Sequence, residues 1–405
     1  MHGLVAGLAA VGIGALALSI RPGETRFLIS VIRPGAALAV VPALWVIFQT
    51  LPLRVIAHPI WASAEAALGH PLPGSISIDF GATAMALGQY LSAVGIALLS
   101  AAVAVDRRRT AWILFTLMGA TVLIAVIQLF HDLAGLTFLN DIGTLFETAQ
   151  AVDCAAIGAI VAAAAGFRTL ERYENGRANA GISKAALFWQ SIATYAALVI
   201  CITSLAVNAS GAVMIATGYG FGALIAVAVI RRLGFGPWGT AAIAVPAIGL
   251  AVLLIASEPG LRTKGVVLAF APSHTALISA SQRILDDAAW TGTGAGTFAA
   301  IVPIYRDIDD PGTSIAPTAA AALSIELGRP MLWLIVVAIV GAIVMLLRAS
   351  LLRGRDFFYP AAGAGCLITL SFLSFINSGA LGTATSVIAA AVLGLAIAQS
   401  KSRTI

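Results

Sequence analysis

Eleven long apolar runs, parted by short clusters of charge, dominate the sequence. They fall at about 3–20, 28–49, 82–105, 110–130, 148–167, 185–206, 210–230, 239–256, 331–347, 358–376 and 383–398. A bilayer's hydrocarbon core is about 30 Å thick, so a spanning helix needs about 20 apolar residues. In lipid the backbone must also satisfy its own polar groups, which favours helices. The runs therefore predict an all-α, polytopic transmembrane bundle of about 11–12 spans. Composition points the same way. The chain is 60% hydrophobic and 10% charged, against about 25% charged in ordinary soluble domains. That is too little charge to cover a soluble fold of this size, which excludes a soluble enzyme, a disordered chain and a nucleic-acid binder. The 40 glycines and the many alanine runs suit close helix packing in a membrane. No charged stretch precedes the first run, so 3–20 reads as a retained span. Residues 1–405 are expected to form a single integral domain.

Two segments are too polar to span: 50–81 and 257–330, the second with twelve charged residues. With the C-terminus cytoplasmic, 16 of the 23 Lys and Arg fall in inner connections, as the positive-inside bias requires. Both long loops then face outward. Cys154, Cys201 and Cys366 lie inside apolar runs and read as small core residues. Neither outer loop has a metal-ligand spacing.

The loop 257–330 holds the best candidates for chemistry. In 276–290, Leu277, Ala280, Ile284, Leu285 and Ala288 form an apolar stripe at helical spacing. Such a stripe can rest on the membrane surface and bring Arg283 to lipid phosphates. Gly292, Gly294 and Gly296 follow at alternate positions. Glycines there can bring backbone N–H groups to an anion, or can build a tight turn. The short helices expected here lie over the outer mouth of the bundle.

Taken together, Arg283 through Trp290, the Gly-x-Gly-x-Gly-x-Phe at 292–298, Pro303-Ile304-Tyr305-Arg306 and Leu323-Ser324-Ile325-Glu326-Leu327-Gly328 resemble the O-antigen ligase and O-antigen polymerase family. His58-Pro59-Ile60-Trp61, Ser75-Ile76-Ser77-Ile78-Asp79 and the Asp106-Arg107-Arg108-Arg109 turn also look like members of that family. The chain departs from the family at two places. Where the family has a His-Asn pair it reads Ser314-Ile315-Ala316-Pro317-Thr318, and where the family has Ser-Arg-Gly it reads Asn208-Ala209-Ser210-Gly211.

The resemblance implies a C-type membrane glycosyltransferase fold in a bacterial inner membrane, with the long loop periplasmic. It also implies transfer of a glycan from undecaprenyl diphosphate to lipid A-core or to another carrier-linked glycan, without metal or cofactor. Membrane lipids and other polysaccharide-assembly proteins are the partners it implies. A diphosphate leaving group suits guanidinium clamps, which bind phosphate bidentately and stay charged.

Each candidate also has a structural alternative. Arg283 can clamp diphosphate or pair with Asp286 or Asp287 at helical spacing. Arg306, with Tyr305 beside it, matches the family's Tyr-Arg but adjoins Asp307, Asp309 and Asp310. Arg329 can meet substrate or snorkel at the membrane edge. His274 could substitute for the absent family His; His58, His70 and His131 are weaker candidates. Glu326 matches the family Glu, and at the start of a helix it would also favour the N-terminal dipole. Asp153, inside an apolar run, faces the bundle interior by default and supports a rival reading as a lipid-linked sugar transporter or flippase. A third reading, a non-catalytic partner in polysaccharide assembly, follows from the two motif departures.

Overall fold

The computed structural model describes residues 22–134, 147–176, 184–233, 265–271, 275–306, 315–353 and 356–401. The expected spans 3–20 and 239–256, together with His274 and the acidic run 307–310, lie outside these residues. Among the described residues the protein is all α, with thirteen α-helices and no strand. The helices are α1 Pro22–Thr50, α2 Ile60–Leu68, α3 Phe80–Val103, α4 Arg107–Ala134, α5 Thr148–Gly176, α6 Lys184–Asn208 and α7 Gly211–Leu233. They continue as α8 Thr275–Asp287, α9 Phe298–Tyr305, α10 Ala319–Glu326, α11 Arg329–Leu352, α12 Phe358–Ile376 and α13 Thr383–Ala398. Seven of them (α3 to α7, α11 and α12) are long and apolar enough to cross a membrane; the Leu38–Thr50 part of α1 and all of α13 are shorter apolar stretches. The chain is thus a multi-pass membrane helical bundle. Its helices overrun the apolar runs at several ends. α1 begins at Pro22 and α5 continues to Gly176, so Arg168 and Arg172 ride on a helix rather than in a connection.

Polar residues set the helix boundaries. The Asp79 carboxylate accepts from Ala82 N–H at 3.0 Å and starts α3; the Thr318 hydroxyl does the same for Ala321 at 3.0 Å in α10. Gly69, at φ 71°, ends α2 in the left-handed region.

α5 lies at the centre, packed by α4, α6, α7, α12 and α13. Its most apolar 18-residue window is 78% buried, against 11% for α3. Small side chains allow this crowding. A methyl on Gly158 of α5 would meet Thr121 of α4 at 2.7 Å and Cys201 of α6 at 2.9 Å. Gly220 of α7 and Gly365 of α12 bring their backbones together in the same way. The three cysteines are buried and free.

The bundle has two chemically distinct ends. At the basic end, Arg231 of α7 donates to Ser350 O at 3.3 Å and lies 4.3 Å from the Phe357 ring centroid. Arg232 pairs with Glu174 at 3.1 Å, and Gln399 donates to Ala104 O at 2.6 Å. The loop end carries the finish of α1 and the starts of α3 and α11. There Ser77 N–H donates to Gln49 O and Ile78 N–H to Thr293 O, both at 3.0 Å. Parts of both long loops, far apart in sequence, therefore meet at one end, and arginine-bearing helix ends, such as that of α7 with Arg231 and Arg232, occupy the other.

Candidate functional site

At the loop end, α8, α9 and α10 share a small core of Leu268, Ile278, Ile284, Leu285, Phe298, Ile301, Val302 and Ile325. The stripe on α8 is present, but it faces α9 and α10 rather than a membrane surface. Ile278 and Ser281 join it in the interior. The apolar faces of three short helices cover one another, and the lipid contact expected of the stripe is replaced by this core. Arg283 stands on the exposed side of α8, with Asp286 and Asp287.

The glycine turn joins α8 to α9. Gly292, Gly294 and Gly296 have φ of 80°, 108° and 75°, a region costly for residues with a Cβ. They also touch backbone or side chains closely. A methyl on Gly294 would meet Ser77 Oγ at 2.6 Å, and one on Gly296 would meet Ala82 O at 3.0 Å. One on Gly292 would run into the Glu326 carbonyl. Every amide from 292 to 298 has an acceptor within the protein. Gly292 donates to Ala289 O, Thr293 to Ile325 O, Gly294 to Glu326 O and Thr297 to Gly294 O. Ala295 donates to Gln49 Oε1 at 3.2 Å. Gly296 and Phe298 donate to the Glu326 carboxylate. Of the two roles open to these glycines, this arrangement supplies the tight turn, with its donors engaged.

Two residues hold the turn. Gln49, the fully buried penultimate residue of α1, donates through Nε2 to Thr291 O at 3.0 Å and Glu326 O at 2.8 Å. Glu326 ends α10 and reaches across to cap α9, accepting from Phe298 N–H at 3.1 Å. The dipole it meets is therefore that of α9, not of the span that follows it in sequence. Burial, opposed by the two amides, pushes its carboxyl up to about 7.

The remaining candidates brace the same unit. Arg329 Nη2 donates to Leu285 O at 2.6 Å, so it caps the C-terminus of α8 instead of snorkelling. Tyr305, at the end of α9, hydrogen-bonds Asp287 at the end of α8; burial and that carboxylate raise its phenol pKa. Arg306 follows as the C-cap residue of α9. Gln49 gave no signal in the sequence beyond being one amide at the end of an apolar run. Trp45 Nε1, which donates to Leu327 O at 2.9 Å, gave none.

A second polar cluster lies deeper at the same end. Asp153 of α5 is fully buried. Its Oδ1 accepts from Asn377 Nδ2 at 2.9 Å, and its Oδ2 has no hydrogen-bond partner among the described residues. Asn377 also accepts from Ala319 N–H at 2.8 Å through its own carbonyl, tying α10 to the bundle.

Fold and site together define a multi-pass helical membrane protein with a small helical cap held on a glycine turn. No protein-family model matches the chain, and no curated protein matches it either.

Proposed function

We propose that the protein is a membrane glycosyltransferase of the O-antigen ligase and polymerase kind. It would move a glycan from undecaprenyl diphosphate to lipid A-core or to a second carrier-linked glycan at the periplasmic face of a bacterial inner membrane. One observation carries this reading: the described residues that resemble the family's loop motif, between Arg283 and Gly328, fold into one unit docked on α1, α3 and α11. In the reaction an acceptor hydroxyl attacks the anomeric carbon, the carbon–oxygen bond to the carrier's diphosphate breaks, and the departing undecaprenyl diphosphate takes up the hydroxyl proton directly or through water. Because the turn's amides are engaged, binding of the diphosphate falls to guanidinium groups, with Arg283 on the exposed face of α8 as the clamp and Arg306 assisting. Glu326, Gln49 and Arg329 hold the unit in shape.

A transporter reading is favoured by one observation, the buried Asp153 with an oxygen that has no hydrogen-bond partner among the described residues. It predicts carrier-linked sugar crossing the bilayer without formation of a new glycosidic bond.

The experiment is glycan ligation or polymerisation in membranes carrying Arg283→Ala or Arg283→Lys at matched protein levels. A charge-assisted hydrogen bond is worth roughly 1.5–3 kcal/mol, so Arg283→Ala should slow product formation about ten- to a hundredfold. Arg283→Lys should recover little, because a point charge lacks the bidentate fork. Wild-type product from Arg283→Ala would overturn the clamp.

A further inference from the structure

The segment Leu51–Leu68, read from sequence as part of a water-exposed loop, has the surface of a membrane-embedded element. It leaves α1 at Thr50, forms a 3-10 turn at Arg54–Ile56, and continues into α2. Neither the turn nor α2 buries a single residue. Most of what they expose is apolar: Val55 is 99% exposed and Leu68 60%, with Leu51, Leu53, Ile56 and Ile60 also open, while Arg54 and Ser63 are the exposed polar residues.

The segment's two charges are turned on each other. Arg54 Nη2 meets Glu65 Oε1 at 3.1 Å. The same guanidinium donates to Leu72 O at 3.2 Å, and the same carboxylate accepts from Leu72 N–H at 2.8 Å. Such a closed pair tolerates a medium less polar than water better than two separate ions do. The base of the hairpin is fixed to the fold. His58 N–H donates to Ser75 O at 2.9 Å, and Trp61 Nε1 donates to Ser77 O at 3.3 Å.

We infer that Leu51–Leu68 is an interfacial hairpin whose apolar side lies in the lipid leaflet at the loop end of the bundle. Lipid is the occupant because the segment follows directly in the chain on α1, an apolar helix of a membrane bundle whose Leu38, Val40, Val41, Leu44 and Ile47 are also uncovered just before Thr50. A soluble protein rarely leaves so contiguous an apolar surface in water, and an apolar helix in the headgroup region gains free energy with the area it buries. The hairpin is pinned to Ser75 and Ser77, and Ser77 and Ile78 are pinned to Gln49 and the glycine turn. The hairpin would therefore set the height of the α8–α10 cap above the bilayer, whatever reaction the protein performs.

The test is nitroxide labelling of Val55→Cys, Ile56→Cys and Leu68→Cys in the full-length protein. The protein is reconstituted into vesicles of phosphatidylethanolamine and phosphatidylglycerol. The native thiols are buried, so label added to the folded protein reports the introduced sites. Collision with oxygen, which partitions into lipid, is compared with collision with a water-soluble nickel chelate. Leu44→Cys on α1 serves as the lipid reference and Asp286→Cys on α8 as the aqueous one. Oxygen-dominated collision at Val55 and Leu68, matching Leu44, is expected. Nickel-dominated collision matching Asp286 overturns the inference, and so does protection from both reagents, which would mean a protein partner or second copy covers the patch. Because three sites are read, failure of one variant to fold leaves the outcome decidable.

Discussion

Glu326 sits where two effects compete. Burial favours the protonated acid, while the amides of Gly296 and Phe298 favour the anion; burial prevails and lifts the group from its ordinary 4.5 to about 7. The native state therefore holds this proton to higher pH than the unfolded chain does. Stability from the site is fully present below about pH 4.5 and is lost as pH rises to about 7. Each unit of raised pKa corresponds to about 1.4 kcal/mol, and partial exposure of the side chain reduces it, so the loss across that window is on the order of 1–3 kcal/mol. Glu326→Gln retains the shape and one acceptor but cannot ionise. Thermal unfolding followed by tryptophan fluorescence should show the wild-type midpoint falling, relative to the variant, between pH 4.5 and 7. Parallel profiles would mean that another group titrates. The sequence brought Glu326 forward through its motif but placed it at the wrong helix terminus. Its partner amide at Phe298 is 28 residues away in sequence, and only the docking of α9 on α10 brings them together.

Short elements at the loop end depend on long-range contacts more than on their own propensity. α9 and α10 have eight residues each, too short to persist alone in water. The glycine turn that joins them to the bundle tolerates no side chain. Gly292→Ala would combine a left-handed backbone with overlap on Glu326, costing about 2–5 kcal/mol. Gly222→Ala in α7, where a methyl meets nothing within 4 Å, should be neutral or stabilising by up to about 1 kcal/mol. Chemical or thermal unfolding of the two variants side by side checks this; equal midpoints would show that the turn can relax. The long helices were legible from apolar runs because lipid enforces helix and length together. The stripe on α8 was legible from its period, but not its destination, since one period serves a membrane surface and a protein core equally well. Gln49 was illegible because its meaning lies in three backbone partners, the farthest 277 residues away. The Asp153–Asn377 pair, 224 residues apart, was hidden for the same reason.

At the scale of the whole bundle, the two most buried of the seven long apolar helices are also the two least apolar. α5 and α12 have the most buried windows of the seven long apolar helices, at 78% and 56%, and the lowest window hydropathies, 1.6 and 1.5. α11, 17% buried, has the highest at 2.8. Lipid-facing helices need apolar side chains outward, whereas interior helices need small ones that admit their neighbours, and alanine and glycine add little hydropathy. The crowded centre around α5 has a consequence for how the chain is made. During synthesis each helix is partitioned between the translocation channel and lipid according to its own apolar character, before the neighbours that will surround it are complete. α11 should enter the bilayer alone. α5 carries Asp153 and a row of alanines, and should be retained until α6 emerges to receive it together with α4, which is made before it. In a glycosylation-reporter insertion assay, α11 placed singly in a host protein should integrate nearly fully. α5 placed singly should integrate less and recover when expressed with α4 and α6, whereas full integration of α5 alone would show that its retention by neighbours is unnecessary.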